Sequence, residues 1–259
     1  MPLLNRGDRV LYWRLDGDPA KPKVVLLNSL GTDHALWDPI MPMLMEKFHI
    51  LRMDKRGHGG STNVTDQCTI GELGSDVLAV MDAAGWERAH LCGISIGGMT
   101  GMWLGIHAPE RFDRLVLSNT SARVPKETFA ARIAQVHADG LPAMSDQILG
   151  RFFTSAFIAD GSPAYHSVRQ TLLLVDPIGY IACCTAIRDM DYQEDLDKIR
   201  SPVLVIISEH DQSTIPAMGE DIVRRIPGAK SVVMPFAHIP ILEDPVGYAQ
   251  TVIEFLMSR

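Results

Sequence analysis

One stretch limits what this chain can fold into more than any other: His90-Leu91-Cys92-Gly93-Ile94-Ser95-Ile96-Gly97-Gly98-Met99-Thr100. An apolar run enters it, Gly-x-Ser-x-Gly forms its centre, and an apolar-rich segment follows as far as His107. That order describes a nucleophile elbow, a sharp strand-to-helix turn with a serine at its tip. Glycine is expected at 93 and 97 because a side chain at either place would crowd the turn. A helix opening at Ile96 would aim its free N–H groups and the positive end of its dipole at the serine oxygen.

The chain around this turn alternates strands and helices. Val10 to Leu15 reads as an early strand ended by the turn Asp16-Gly17-Asp18-Pro19. Lys23 to Leu27 is a short, unbroken apolar run, as expected of a strand buried on both faces, and it leads into Asn28-Ser29-Leu30-Gly31-Thr32. His49 to Met53 gives another strand, followed by Asp54-Lys55-Arg56-Gly57-His58-Gly59-Gly60-Ser61. The spacing predicts a helix from Ile70 to Ala84, with Leu73, Val77, Val80 and Met81 on one face and a stop at Gly85. Strands follow at Leu115–Leu117, Val203–Ile207 and Ser231–Met234, with a last helix from about Pro240. This alternation predicts a parallel sheet with helices on both faces. Between Thr120 and Gln193 the strand rhythm stops, and Phe129, Ile133 and Val136 fall at helical spacing. The segment is too long for one crossover and reads as a helical cap over the site.

At 259 residues the chain suits one domain, or one domain carrying an insertion. Its net charge of -7 argues against nucleic acid and against an anionic membrane surface as partners. An anionic small substrate stays open, because a site can be locally basic. No segment approaches the apolar length of a membrane span, and the amino terminus lacks the apolar run of a signal peptide. Cys68, Cys92, Cys183 and Cys184 form no C-x-x-C pair or zinc spacing. The expectation is a cytoplasmic protein with free thiols and no metal, whose partner is a small molecule; self-association is compatible with the sequence.

A serine hydroxyl is a poor nucleophile until a base takes its proton. With an elbow of this kind, the acid and the histidine come later in the chain, each on a loop after a further strand. Asp211 lies just past the Val203–Ile207 strand and His238 just past the Ser231–Met234 strand. Both positions are carboxyl ends of strands, where open parallel sheets build their sites. The roles follow: Ser95 attacks, His238 is base and then acid, and Asp211 orients the imidazole. Glu209 is the nearest competitor for the acid, and His210 with Asp211 lacks a third ligand for a metal. An oxyanion hole needs two donors; the elbow supplies Ile96 N–H, and the Asn28–Thr32 loop offers Leu30 N–H. Arg56 and His58 are read as structural, fixing their own loop by local hydrogen bonds.

Asn28-Ser29-Leu30-Gly31-Thr32, Asp54-Lys55-Arg56-Gly57-His58-Gly59, Gly93-Ile94-Ser95-Ile96-Gly97-Gly98-Met99 and Ser118-Asn119-Thr120-Ser121-Ala122-Arg123 together resemble the α/β-hydrolase superfamily. Within it they are most similar to the 3-oxoadipate enol-lactonases of aromatic-compound breakdown. The resemblance implies an α/β protein of the α/β-hydrolase fold, a mostly parallel eight-stranded sheet flanked by helices. Residues 1–119 and 194–259 would form the core and 120–193 the helical cap. It also implies the triad Ser95, Asp211 and His238, and no cofactor. After the histidine this chain has Pro240-Ile241, a pattern shared with esterases and carbon–carbon bond hydrolases, where that family has Ser-Asn. The expected reaction is therefore opening of an enol-lactone; a carboxylesterase or carbon–carbon hydrolase with the same triad is the alternative. A pure binding module would not need all three triad positions. The enol-lactone carries a free carboxylate, for which Arg123 is the candidate partner, the competing reading being an arginine that simply pairs with a cap acid; Trp37 and Phe152 are the other candidate substrate contacts.

Overall fold

The unbroken apolar runs become the middle of a single sheet. The computed structural model describes residues 2–63 and 65–258. Its strands are β1 (Leu3–Asn5), β2 (Val10–Asp16), β3 (Lys23–Leu27), β4 (His49–Met53), β5 (Ala89–Ile94), β6 (Phe112–Ser118), β7 (Val203–Ser208) and β8 (Lys230–Met234). They lie in the order β1-β2-β4-β3-β5-β6-β7-β8. The pairs β1–β2 and β2–β4 are antiparallel, and every other pair is parallel. The central strands read as apolar runs because helices cover both faces: β4 and β7 are buried at every position. From β3 the chain steps outward to β4, then returns to β5 on the other side. The crevice at this reversal, outside the carboxyl ends of β3 and β5, is where sheets of this type place their ligands.

The helices are α1 (Met41–Met45), α2 (Ile70–Ala83), α3 (Ile96–His107), α4 (Lys126–Phe152), α5 (Ser155–Asp160), α6 (Pro163–Leu174), α7 (Pro177–Asp189), α8 (Pro216–Arg225), α9 (Pro240–Glu243) and α10 (Pro245–Met257). α2 begins with a capping box: Thr69 accepts from Glu72 N–H while the Glu72 side chain accepts from Thr69 N–H. Such a cap contributes about 1 kcal/mol. The helix carries Ile70, Leu73, Val77, Val80 and Met81 into the core. At the other end of the chain, the expected single helix from Pro240 is two, because Asp244 caps a fresh helix at Pro245.

α4 to α7 occupy the connection between β6 and β7, where the sequence suggests a cap. A straight 27-residue helix would span about 40 Å. α4 does not run straight, since Gly140 has φ 75° and ψ 166° and Pro142 follows it. α7 rests on the core almost backbone to backbone: a Cβ on Gly179 would lie 2.3 Å from Gly57 Cα. Among the described residues, no single helix is long and apolar enough to cross a membrane.

Candidate active site

Ser95 sits between β5 and α3 with φ 57° and ψ -122°, a backbone conformation few side chains adopt. Two flanking glycines make that turn possible. A Cβ at Gly93 would come 2.3 Å from Gly97 O, and one at Gly97 would come 2.1 Å from Leu27 O. The strained serine is over-determined by its neighbours: its N–H donates to Ser118 O at 3.0 Å, and its carbonyl accepts from Thr120 Oγ1 at 2.7 Å. The Ile96 N–H, at the first position of α3, has no partner within the helix.

Asp211 follows β7 and is buried. Its Oδ1 accepts from the N–H groups of Ser213 (2.7 Å) and Thr214 (3.0 Å). Its Oδ2 accepts from Thr214 Oγ1 (2.7 Å) and Asn119 Nδ2 (3.1 Å), and pairs with His238 Nδ1 at 2.8 Å. Burial alone would raise the carboxyl pKa. The charge of His238 and the hydrogen bonds from His238 and Thr214 outweigh it and hold the pKa below its ordinary value. Glu209 is exposed, and among the described residues no hydrogen bond joins its side chain to His238, whose Nδ1 is taken by Asp211. With Nδ1 taken by the acid, the Nε2 of His238 is left for the cleft. Among the described residues no hydrogen bond joins Ser95 Oγ to His238, a looseness common before substrate binds.

Ser95 and His238 line one partly enclosed cleft with Leu30, Met99, Val124, Thr128, Phe129, Arg132, Arg151, Phe152, Ile187, Gln212, Ser213 and Thr214. Its empty volume is about 520 Å³ including its mouth. The Phe152 ring lies 5.2 Å from the His238 ring, so this expected contact borders the reacting groups. Leu30 comes from the loop after β3, and His58 steadies that loop. The His58 Nε2 accepts from Gly31 N–H at 3.1 Å, and its Nδ1 lies 2.9 Å from Arg56 O. This network assigns a neutral ring with the proton on Nδ1. Burial, aided by Lys55, keeps the His58 pKa well below that of a free histidine. Arg56 is spent on Asp76 at 2.5 Å and Glu72 at 3.1 Å. Both residues are bonded within the scaffold, His58 locally as read from the sequence and Arg56 to the more distant helix α2.

Two expected substrate contacts are corrected by the structure. Arg123 does not line the cleft: its side chain is 60% exposed, with Nε 3.6 Å from Asp191 Oδ2. The reason is alternation along an extended segment, which buries Ala122 and Val124 and so turns the residue between them outward. Trp37 is fully buried in the core, its ring 6.5 Å from that of Tyr248. The cationic groups of the cleft are Arg132 and Arg151, neither of which the sequence singled out. They stand in different halves of α4 and reach one cleft because the helix breaks at Gly140. Neither has a carboxylate partner within 4.0 Å among the described residues. Asn119 was also not singled out; its φ of 44° and its hydrogen bond to Asp211 mark it, and neither is visible in the sequence.

The strained serine, the buried acid–imidazole pair and the sheet order define a hydrolase scaffold, and comparison with known proteins agrees. The family model described as alpha/beta hydrolase fold matches residues 22–245, and the chain belongs to that family. It is 33% identical over 257 residues to 3-oxoadipate enol-lactonase 2 of Acinetobacter baylyi, covering 99% of this chain and 96% of that one. Its structure is similar to that of an enol-lactonase from Burkholderia xenovorans, with TM-score 0.97, 34% identity, and coverage of 99% and 100%. A hydrolase from Pseudomonas aeruginosa is similar at TM-score 0.96 and 37% identity, with coverage of 99% and 98%.

Proposed function

We propose that this hydrolase opens a lactone carrying a free carboxylate, with 3-oxoadipate enol-lactone the substrate that fits best. The observation that carries this reading is the presence in the cleft that holds Ser95 and His238 of two arginines, Arg132 and Arg151, that have no carboxylate partner among the described residues. A guanidinium grips a carboxylate in a bidentate way, and an apolar cleft makes that contact costly to leave unmade. The relatives named enol-lactonases support the same choice.

In this mechanism Ser95 Oγ attacks the lactone carbonyl as His238 Nε2 takes its proton, with Asp211 holding the ring and its developing charge. Leu30 N–H and Ile96 N–H receive the negative oxygen of the tetrahedral intermediate. Collapse breaks the ring C–O bond, and His238 returns the proton to the leaving enol oxygen. The enol rearranges to the ketone while the chain stays attached to Ser95 as an ester. Water, deprotonated by His238, then releases a dicarboxylate. Such a step belongs to aromatic-compound breakdown, and four buried free thiols support a reducing, cytoplasmic setting.

The test is a comparison of kcat/KM for the enol-lactone and for a neutral lactone of similar size. The expected result is a preference of roughly 100-fold or more for the anion, equivalent to about 2.8 kcal/mol. Equal or better turnover of the neutral compound would contradict the reading.

A further inference from the structure

Lys55 lies in the loop after β4, outside the cleft, and among the described residues it has no carboxylate partner. Its ammonium instead donates to two backbone carbonyls, Ser29 O at 2.6 Å and Thr32 O at 2.9 Å. A partly buried charge needs such compensation, and carbonyl oxygens provide it. These two carbonyls bracket Leu30 and Gly31. Thr32 O also accepts from Asn28 Nδ2 at 2.7 Å, and Gly31 N–H is held by His58 Nε2 at 3.1 Å. The Ser29–Thr32 turn is thus fastened at three backbone groups, Ser29 O, Gly31 N–H and Thr32 O, from one neighbouring segment, Asp54–Gly59, while the Leu30 N–H has no protein acceptor among the described residues.

We propose that Lys55 is a positioning residue of the oxyanion hole: by clamping the Ser29 and Thr32 carbonyls it aims the Leu30 N–H into the cleft. The inference rests on the serine-hydrolase reading above. The clamp acts through geometry and through charge. In the planar trans Ser29–Leu30 peptide, drawing Ser29 O toward the ammonium turns the Leu30 N–H the opposite way, toward the cleft that Leu30 lines with Ser95, while the Thr32 contact fixes the far end of the turn. It also polarises the Ser29–Leu30 peptide, whose oxygen accepts from the ammonium and whose N–H faces the cleft, strengthening that donor. A cation of fixed position suits a hole that must be preorganised before negative charge appears. His58 cannot replace it, because a neutral ring that accepts from Gly31 N–H restrains the turn without adding charge.

The experiment compares wild type with Lys55→Met and Lys55→Gln in steady-state hydrolysis, and in inhibition by phenylboronic acid. The boronate forms a tetrahedral anion on the serine and so reports on the oxyanion hole, whereas KM reports on the planar ground state. Lys55→Met is expected to lower kcat about 100-fold, the scale of losing one oxyanion donor. KM should stay within about threefold, and boronate inhibition should weaken in step with kcat. Lys55→Gln keeps one donating group and should fall between the two; it also carries the test if Lys55→Met does not fold. A folded variant with kcat within about twofold of wild type, or with boronate affinity unchanged, overturns the proposal. So does a loss confined to KM. A wild-type protein inert toward lactones and esters would instead overturn the hydrolytic reading, and this inference with it.

Discussion

Asn119 and Asp211, separated by 92 positions in sequence, are joined in the core by a 3.1 Å hydrogen bond from the amide nitrogen to the carboxylate. The same amide lies 3.4 Å from Ala237 O, next to His238, so one side chain ties the acid to the histidine loop. Asn119 can donate without bringing a charge, which keeps the carboxylate ionised beside the imidazole.

Asn119→Gly should therefore weaken catalysis while relieving the backbone, because glycine adopts φ 44° freely. A hydrogen bond to a charged group contributes about 1.5–3 kcal/mol, so kcat should fall by about 10-fold or more. Removing a donor to the charged form moves the Asp211 pKa upward. Unchanged kcat in a folded Asn119→Gly protein would remove the residue from the catalytic scaffold.

Asp211→Asn should lower kcat by about 10⁴-fold through loss of imidazole orientation, whereas Glu209→Gln should have little effect. The acid also affects stability. Its folded pKa is lowered, so its contribution is fully present above the unfolded value of about 4 and is lost as pH falls through the folded value. Between about pH 5 and pH 3, melting curves should therefore show a larger loss of stability for wild type than for Asp211→Asn. A parallel decline in the two proteins would mean that the carboxylate gains nothing from its partners.

The elbow was legible in the sequence because its determinants are local: Gly93 and Gly97 are required by contacts within a few residues or with the adjacent strand. The strands β3 to β7 were legible for a similar reason, as short apolar runs of a sheet buried on both faces, and the exposed edge strand β8 was legible from Val232-Val233-Met234 alone. β1 was not, since three residues of an antiparallel edge carry too little pattern. The substrate contacts were the least legible. Arg123 is near the site in chain position, but the burial of Ala122 and Val124 decides where its side chain points. Arg132 and Arg151 are brought together by a break at Gly140, which the helical spacing alone does not reveal.

The two arginines give a prediction with an internal control. Arg132→Met and Arg151→Met should each raise KM for the anionic lactone, by roughly 10–100-fold or about 1.4–2.8 kcal/mol for the one that grips the carboxylate. Hydrolysis of a small neutral ester should barely change. Arg123→Met, which alters only an exposed pair with Asp191, should leave both substrates unaffected. Equal losses on both substrates for the cleft variants would indicate damaged packing rather than lost recognition.

Gly179 tests how the cap is seated. Adding a methyl group there forces a 2.3 Å contact with backbone that has no side chain to swing away. Gly179→Ala should shift α7 and cost about 1–3 kcal/mol. Thermal melting checks the stability loss, and a rise in KM checks that the cap shapes the cleft. A variant with wild-type melting and wild-type KM would show that the contact is easily relieved.

The most direct test of the account is steady-state hydrolysis of 3-oxoadipate enol-lactone by Ser95→Ala, with folding checked by circular dichroism. Alanine fits the elbow without new contacts, so the protein should keep its native spectrum. The expected fall in kcat is about 10⁶-fold, the scale seen when a serine triad loses its nucleophile. A natively folded Ser95→Ala protein that turns over the lactone at a rate close to wild type would contradict it.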